Sequence, residues 1–194
     1  MSHISVTVFC GSSVGVAPDY MQSARDLGAG LAARDMTLVF GGGNVGLMGA
    51  VAGAALGSGG TVVGIIPDFL RAREVEFPGL SELIVTDSMH TRKRRMFARA
   101  DAFVVLPGGL GTLDELMEIV TWKQLERHAK PIILVDILGW AGRVVALLDA
   151  VIGAGFARDS ARQLWEIVPD VAAALARLDD YSPSSGNGSM VETL

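Results

Sequence analysis

Short, continuously apolar runs alternate with longer helical patterns along almost the whole chain, and no other feature restricts the possible folds as much. The spacing predicts strands at Ser5–Cys10, Thr37–Phe40, Thr61–Ile66, Glu82–Val85, Ala102–Leu106, Pro131–Val135 and Trp165–Val168. Between and after them it predicts helices at Asp19–Arg34, Leu47–Leu56, Met89–Ala100, Thr112–Arg127, Trp140–Ile152 and Asp170–Leu178. Strands that are apolar along their whole length, rather than at every second residue, belong in a parallel sheet covered on both faces. The β-α alternation then gives a doubly wound, Rossmann-like α/β fold, a mostly parallel sheet of about seven strands with helices on both faces. Ligands in this architecture bind at the carboxyl ends of the strands. Each glycine-rich loop of the chain falls at such an end.

A length of 194 residues fits one domain, expected over residues 1–180. The remainder, 181–194, carries Ser182-Pro-Ser-Ser-Gly-Asn-Gly-Ser189 and is expected to be a disordered tail. No charged residue occurs from Met36 through Pro67, but glycines at 41–43 and 59–60 break that run into strand, loop, helix, loop and strand rather than a membrane span. The net charge of −5 disfavours nucleic acid as a partner. Cys10 is the only cysteine and no basic-then-apolar leader is visible, which fits a reducing cytoplasm. His3, His90 and His128 are dispersed, so no metal site is expected.

Four loops carry candidate chemistry. Gly11-Ser-Ser-Val-Gly15 has the spacing of a nucleophile elbow, but it follows the first strand and Pro18 delays the next helix. Ser12 and Ser13 are better read as ligand-binding hydroxyls. Gly41-Gly42-Gly43-Asn-Val-Gly46 satisfies G-x-G-x-x-G between a strand and a helix, with Asp68 after the next strand; both a dinucleotide loop and plain helix–strand packing fit. In Met89-His-Thr-Arg-Lys-Arg-Arg-Met96 the four consecutive cations point in all directions around a helix. Arg92 shares a face with Met89 and Met96, and an arginine on an apolar face needs an anionic partner.

The fourth loop, Pro107-Gly-Gly-Leu-Gly-Thr-Leu-Asp-Glu115, joins a strand to a helix N-terminus and presents an anion cradle. It lacks the lysine of a Walker loop. Its Thr112 and Glu115 also have the spacing of a capping box, with Thr112 as N-cap and Glu115 reaching back. Thus Glu115 is open to two readings, cap or catalyst.

Taken together, Gly41–Gly49, Met89-His-Thr-Arg-Lys93 and Pro107–Glu115, extended by Thr121-Trp-Lys-Gln-Leu125 and Lys130-Pro131, resemble the LOG ("Lonely Guy") family, formerly mislabelled lysine decarboxylases. The resemblance spans roughly residues 5 to 178. It implies a nucleotide-binding catalytic domain that hydrolyses the N-glycosidic bond of cytokinin riboside 5′-monophosphates, and in some members AMP, releasing base and ribose 5-phosphate. It implies no cofactor and a homodimer with the site near the interface. By the same resemblance Arg92 and Glu115 are the catalytic pair, and Lys93, Gly108, Gly109, Leu110, Gly111, Thr112, Leu113, Asp114 and Thr121 contact the nucleotide. Glu74 is a further contact position, and Gly41, Gly42, Gly43, Gly46, Ser12 and Ser13 complete the expected substrate-binding set. Leu110, Asp114 and Glu126 depart from residues frequent in the family. A non-catalytic nucleotide or cofactor carrier is the alternative on such a fold. Decarboxylation would need a Schiff-base lysine, and nothing around Lys93, Lys123 or Lys130 forms such a site.

Overall fold

A computed structural model describes residues 4–71 and 76–181 of the chain. The expected tail beyond Tyr181, and Glu74, lie outside the described residues. Seven strands form one sheet: β1 (Ser5–Phe9), β2 (Thr37–Phe40), β3 (Val62–Pro67), β4 (Glu82–Thr86), β5 (Ala102–Val105), β6 (Ile132–Val135) and β7 (Glu166–Val168). Every pairing is parallel, in the order β4-β3-β2-β1-β5-β6-β7. Six α-helices are described: α1 (Pro18–Ala32), α2 (Gly46–Gly57), α3 (Met89–Arg99), α4 (Leu110–Gln124), α5 (Trp140–Gly153) and α6 (Val171–Asp179). The doubly wound expectation holds.

The burial pattern explains why the strands are readable. β2, β5 and β6 are buried at every residue. The two outer strands, β4 and β7, expose Val85 and Ile167. One face of the sheet packs against α1, α2 and α6, the other against α3, α4 and α5. Leu27 and Leu31 of α1 are fully buried, which stabilises the fold by about 1.5–3 kcal/mol for each side chain. Gly28 lets α1 meet α2 closely, since a Cβ there would fall 2.1 Å from the Val51 carbonyl oxygen. The charge-free run resolves into β2, a loop, α2 and β3. Among the described residues no helix is long and apolar enough to cross a membrane.

The second face fixes how α3 and α4 sit. His128 Nε2 donates to the Ile119 carbonyl at 2.8 Å, and its ring packs edge-on against Phe97 and Phe103. Burial lowers the His128 pKa to about 4, so the ring is neutral at pH 7. Lys130 Nζ donates to the Phe97 carbonyl at 2.9 Å near the end of α3. These contacts tie the two helices together at the ends remote from Arg92 and Glu115.

Candidate active site

The strand order reverses at β1, which lies between β2 and β5. In open α/β sheets the crevice at such a reversal is where ligands bind. Here the loops after β1 and β5 cross in contact. The Gly11 N–H donates to the Pro107 carbonyl at 3.0 Å. A Cβ on Gly11 would sit 3.2 Å from the Gly108 Cα, and one on Gly108 would sit 2.1 Å from Thr112 Oγ1. Trp140 Nε1 donates to the Gly108 carbonyl at 3.2 Å and holds the loop from the other side.

Helix α4 starts earlier than the T-x-x-E spacing predicts. Its N-cap is Gly109, in extended conformation and with no side-chain cap. The capping-box reading of Thr112 is therefore incorrect. Thr112 lies inside the first turn, buried against Gly108. The physical reason is that Gly109 adopts the extended cap backbone three residues before the first predicted helical position. Because the Gly109 carbonyl accepts from Leu113 N–H, the amides of Leu110, Gly111 and Thr112 have no acceptor within the helix. The helix dipole adds positive potential at that point.

A cavity of about 290 Å³ opens at this helix start. Ser12, Ser13, Gly109, Leu110, Gly111 and Thr112 form one side; Cys10, Met48, Leu70 and Met89 give it apolar walls; Arg92 and Glu115 stand together within it. Arg92 comes from α3, whose N-terminus is capped by Ser88 accepting from the Thr91 N–H. Its Nε donates to the Ile65 carbonyl at 3.1 Å and its Nη2 to the Gly41 carbonyl at 3.3 Å. Its Nη1 lies 3.8 Å from Glu115 Oε1. Arg92 is 6% exposed and Glu115 8%. The expected anionic partner of Arg92 is thus Glu115, joined by two carbonyls that the sequence does not reveal. A separation of 3.8 Å is an ion pair rather than a hydrogen bond.

Cys10 lies on the cavity floor. Burial, and then the Glu115 charge, push its thiol well above the usual range, against a smaller opposing effect of Arg92. It stays a neutral wall rather than a thiolate. Among the described residues no three His, Cys, Asp or Glu side chains converge as a metal site.

Other expected site residues lie elsewhere. Gly41, Gly42, Gly43 and Gly46 do not line this cavity but pack behind it. Lys93 Nζ pairs with Asp114 at 3.1 Å and Glu118 at 3.2 Å, bridging α3 to α4 outside the cavity wall. Leu113 is half-buried behind the first turn of α4. Thr121 is exposed and donates to the Met117 carbonyl; it lies about 9 Å along the helix from Glu115. Reasoning from sequence missed Cys10, Met48, Leu70 and Trp140. Met89 was detectable, one turn before Arg92 on the same face.

Similarity to known proteins extends over most of the chain. The family described as "Possible lysine decarboxylase" matches residues 48–178. A probable cytokinin riboside 5′-monophosphate phosphoribohydrolase of Oryza sativa subsp. japonica is 44% identical over 178 residues, 92% of this chain and 78% of that protein. The cytokinin riboside 5′-monophosphate phosphoribohydrolase LOG1 of Arabidopsis thaliana is 39% identical over 178 residues, 92% of this chain and 84% of that protein.

The chain belongs to the LOG family.

Among solved structures, the molybdenum cofactor carrier protein of Chlamydomonas reinhardtii superposes with a TM-score of 0.71 at 22% identity, covering 92% of this chain and 97% of that one. At that identity the likeness is one of fold. The LOG relatives, nearly twice as similar in sequence, favour the hydrolase over the carrier alternative.

Proposed function

We propose that the protein hydrolyses the N-glycosidic bond of cytokinin riboside 5′-monophosphates, releasing the free base and ribose 5-phosphate. The observation that carries the reading is the buried Arg92–Glu115 pair, 3.8 Å apart, in a cavity that the open amides of α4 also enter. The 5′-phosphate docks on the amides of Leu110, Gly111 and Thr112, helped by the hydroxyls of Ser12 and Ser13. That anchor holds the ribose so that remote binding supports the reaction. As the C1′–N bond breaks, positive charge builds on the ribose. Glu115 stabilises that charge and orients the water whose oxygen joins C1′. The water's proton balances the departing base. Arg92 holds Glu115 in place from 3.8 Å, and its remaining N–H groups face the nucleotide.

Decarboxylation is not supported by the lysines. Lys93 is held in ion pairs, Lys130 is bound to the Phe97 carbonyl, Lys123 lines a different cavity, and none lines this one. The lone cysteine fits a cytoplasmic setting. A homodimer is part of the proposal. Leu110, 86% exposed, Met117 and Thr121 form a stripe along α4 at helical spacing. A second copy docking there would bring its Thr121 towards the nucleotide, which this chain's own Thr121 cannot reach.

The test is release of ribose 5-phosphate from isopentenyladenosine monophosphate and, separately, from AMP. Glu115→Gln and Arg92→Ala are each expected to cut turnover by at least about 100-fold. Their near-ultraviolet circular dichroism should still report a folded protein. Turnover close to wild type in either variant rejects the assignment; binding of both nucleotides without release supports a carrier.

A further inference from the structure

A second cavity, of about 570 Å³, lies at the other end of α4, between Lys123–Glu126 and the 3₁₀ turn Asp159–Gln163. Along α4, Lys123 lies about 12 Å from Glu115, so the cavity is separate from the Arg92–Glu115 site. Its walls carry two cations with no ion-pair partner among the described residues, Lys123 and Arg158. The contrast within one turn is sharp: Arg162 is held by Asp149 at 2.8 Å and Asp159 at 2.7 Å, while Arg158 is left open to the cavity. Lys123 is half-buried, and burial lowers its pKa. The amides of Gln124 and Gln163 and the hydroxyl of Ser160 line the same space.

Glu126 is the sixth polar group, and its backbone is unusual. It has φ 57, a left-handed conformation that glycine takes freely and other residues adopt at a cost. It is the left-handed residue that ends α4, where Arg127 N–H donates to the Trp122 carbonyl at 2.9 Å and closes the helix. Here it puts one carboxylate in the wall of a cavity that also holds two open cations.

We propose that this cavity is a second ligand site, for a small phosphorylated polyol. The phosphate sits between Lys123 and Arg158, where two cations match its double charge. The hydroxyls of the ligand donate to Glu126 and meet the two glutamine amides. A carboxylate in the wall repels a bare anion but accepts from hydroxyls, so it selects a polyol phosphate over inorganic phosphate. The volume falls within the range of small-molecule sites.

The test uses ribitol 5-phosphate, which has no anomeric carbon, and inorganic phosphate in parallel, read by ¹H–¹⁵N spectra of the full chain. Ribitol 5-phosphate is expected to shift the side-chain amide signals of Gln124 and Gln163 and the Ser160 backbone signal saturably. The Kd from those signals should rise at least about tenfold in the Lys123→Ala/Arg158→Ala variant. That variant should retain wild-type hydrolysis of the nucleotide. Glu126→Gly should raise the melting temperature, because glycine relieves the strain, yet weaken the polyol phosphate. The proposal is overturned if these signals do not move, if the double variant binds as wild type does, or if inorganic phosphate binds as tightly. Shifts confined to Gly108–Thr112 would overturn it as well.

Discussion

Two strand–glycine loop–helix units in this chain look alike in sequence and do opposite things. Gly41–Gly46 leads from β2 into α2; Pro107–Gly111 leads from β5 into α4. Both have the composition of a phosphate cradle. At α2, however, the amides of Leu47 and Met48 are taken by the Gly11 carbonyl, at 2.9 and 3.3 Å. The loop is also occupied on its other side, where Phe77 N–H donates to the Gly42 carbonyl and Gly43 bridges Glu76. Its glycines make room for protein: Gly41 for Arg92, Gly42 for Ile66, Gly46 for the backbone of Ser12 and Ser13. At α4 the first-turn amides face a cavity, and a Cβ on Gly109 or Gly111 would meet nothing within 4 Å. A glycine-rich loop thus reports close approach, while the partner that approaches decides whether it binds a ligand or packs the fold.

The largest expected difference between the two loops is in stability. Gly46 has φ 62, and a Cβ there would lie 2.6 Å from the Ser12 carbonyl carbon. Strain and backbone overlap act together, so Gly46→Ala should destabilise by about 3 kcal/mol or more. Chemical denaturation measures it. A loss below about 1 kcal/mol, the scale of an ordinary mutation, would mean that α2 has slack and the loops differ less than the packing indicates.

Gly41→Ala joins the two loops. Its Cβ would fall 2.0 Å from Arg92 Nη2, and Arg92 is already fixed by the Ile65 and Gly41 carbonyls. The guanidinium has to move away from Glu115, and a misplacement of about 1 Å typically costs on the order of 100-fold in rate. A fall in turnover of roughly 10- to 100-fold is therefore expected, with KM changed much less. Unchanged turnover would show that Arg92 does not need its place beside Glu115.

Most of the fold was legible because β2, β5 and β6 are buried along their length and the helices keep a separate period. Arg92 was legible as well, since its apolar neighbours at helical spacing demanded an anionic partner. For Gly41–Gly46 packing was one of two open readings, and the sequence could not choose because the motif records backbone freedom and not the atoms that use it. Thr112–Glu115 misled for a related reason: the spacing of a capping box is present, but Gly109 starts the helix first. Cys10, Leu70 and Met48 join the cavity through tertiary contact alone, and no local pattern marks an apolar residue as a wall.

The smallest effect is the most discriminating. Gly109→Ala should leave stability within about 0.5 kcal/mol of wild type, because its φ of −98 suits any residue and its Cβ has no neighbour to strike. The same open space is where the 5′-phosphate is proposed to dock, so the added methyl should weaken nucleotide binding, raising KM by about tenfold with little change in turnover. Set beside Gly46→Ala, it separates the loops cleanly, one variant losing the fold and the other the ligand. If Gly109→Ala bound nucleotide as well as wild type, the phosphate would have to be anchored elsewhere on the cavity wall, and the distinction between the two loops would rest on packing alone.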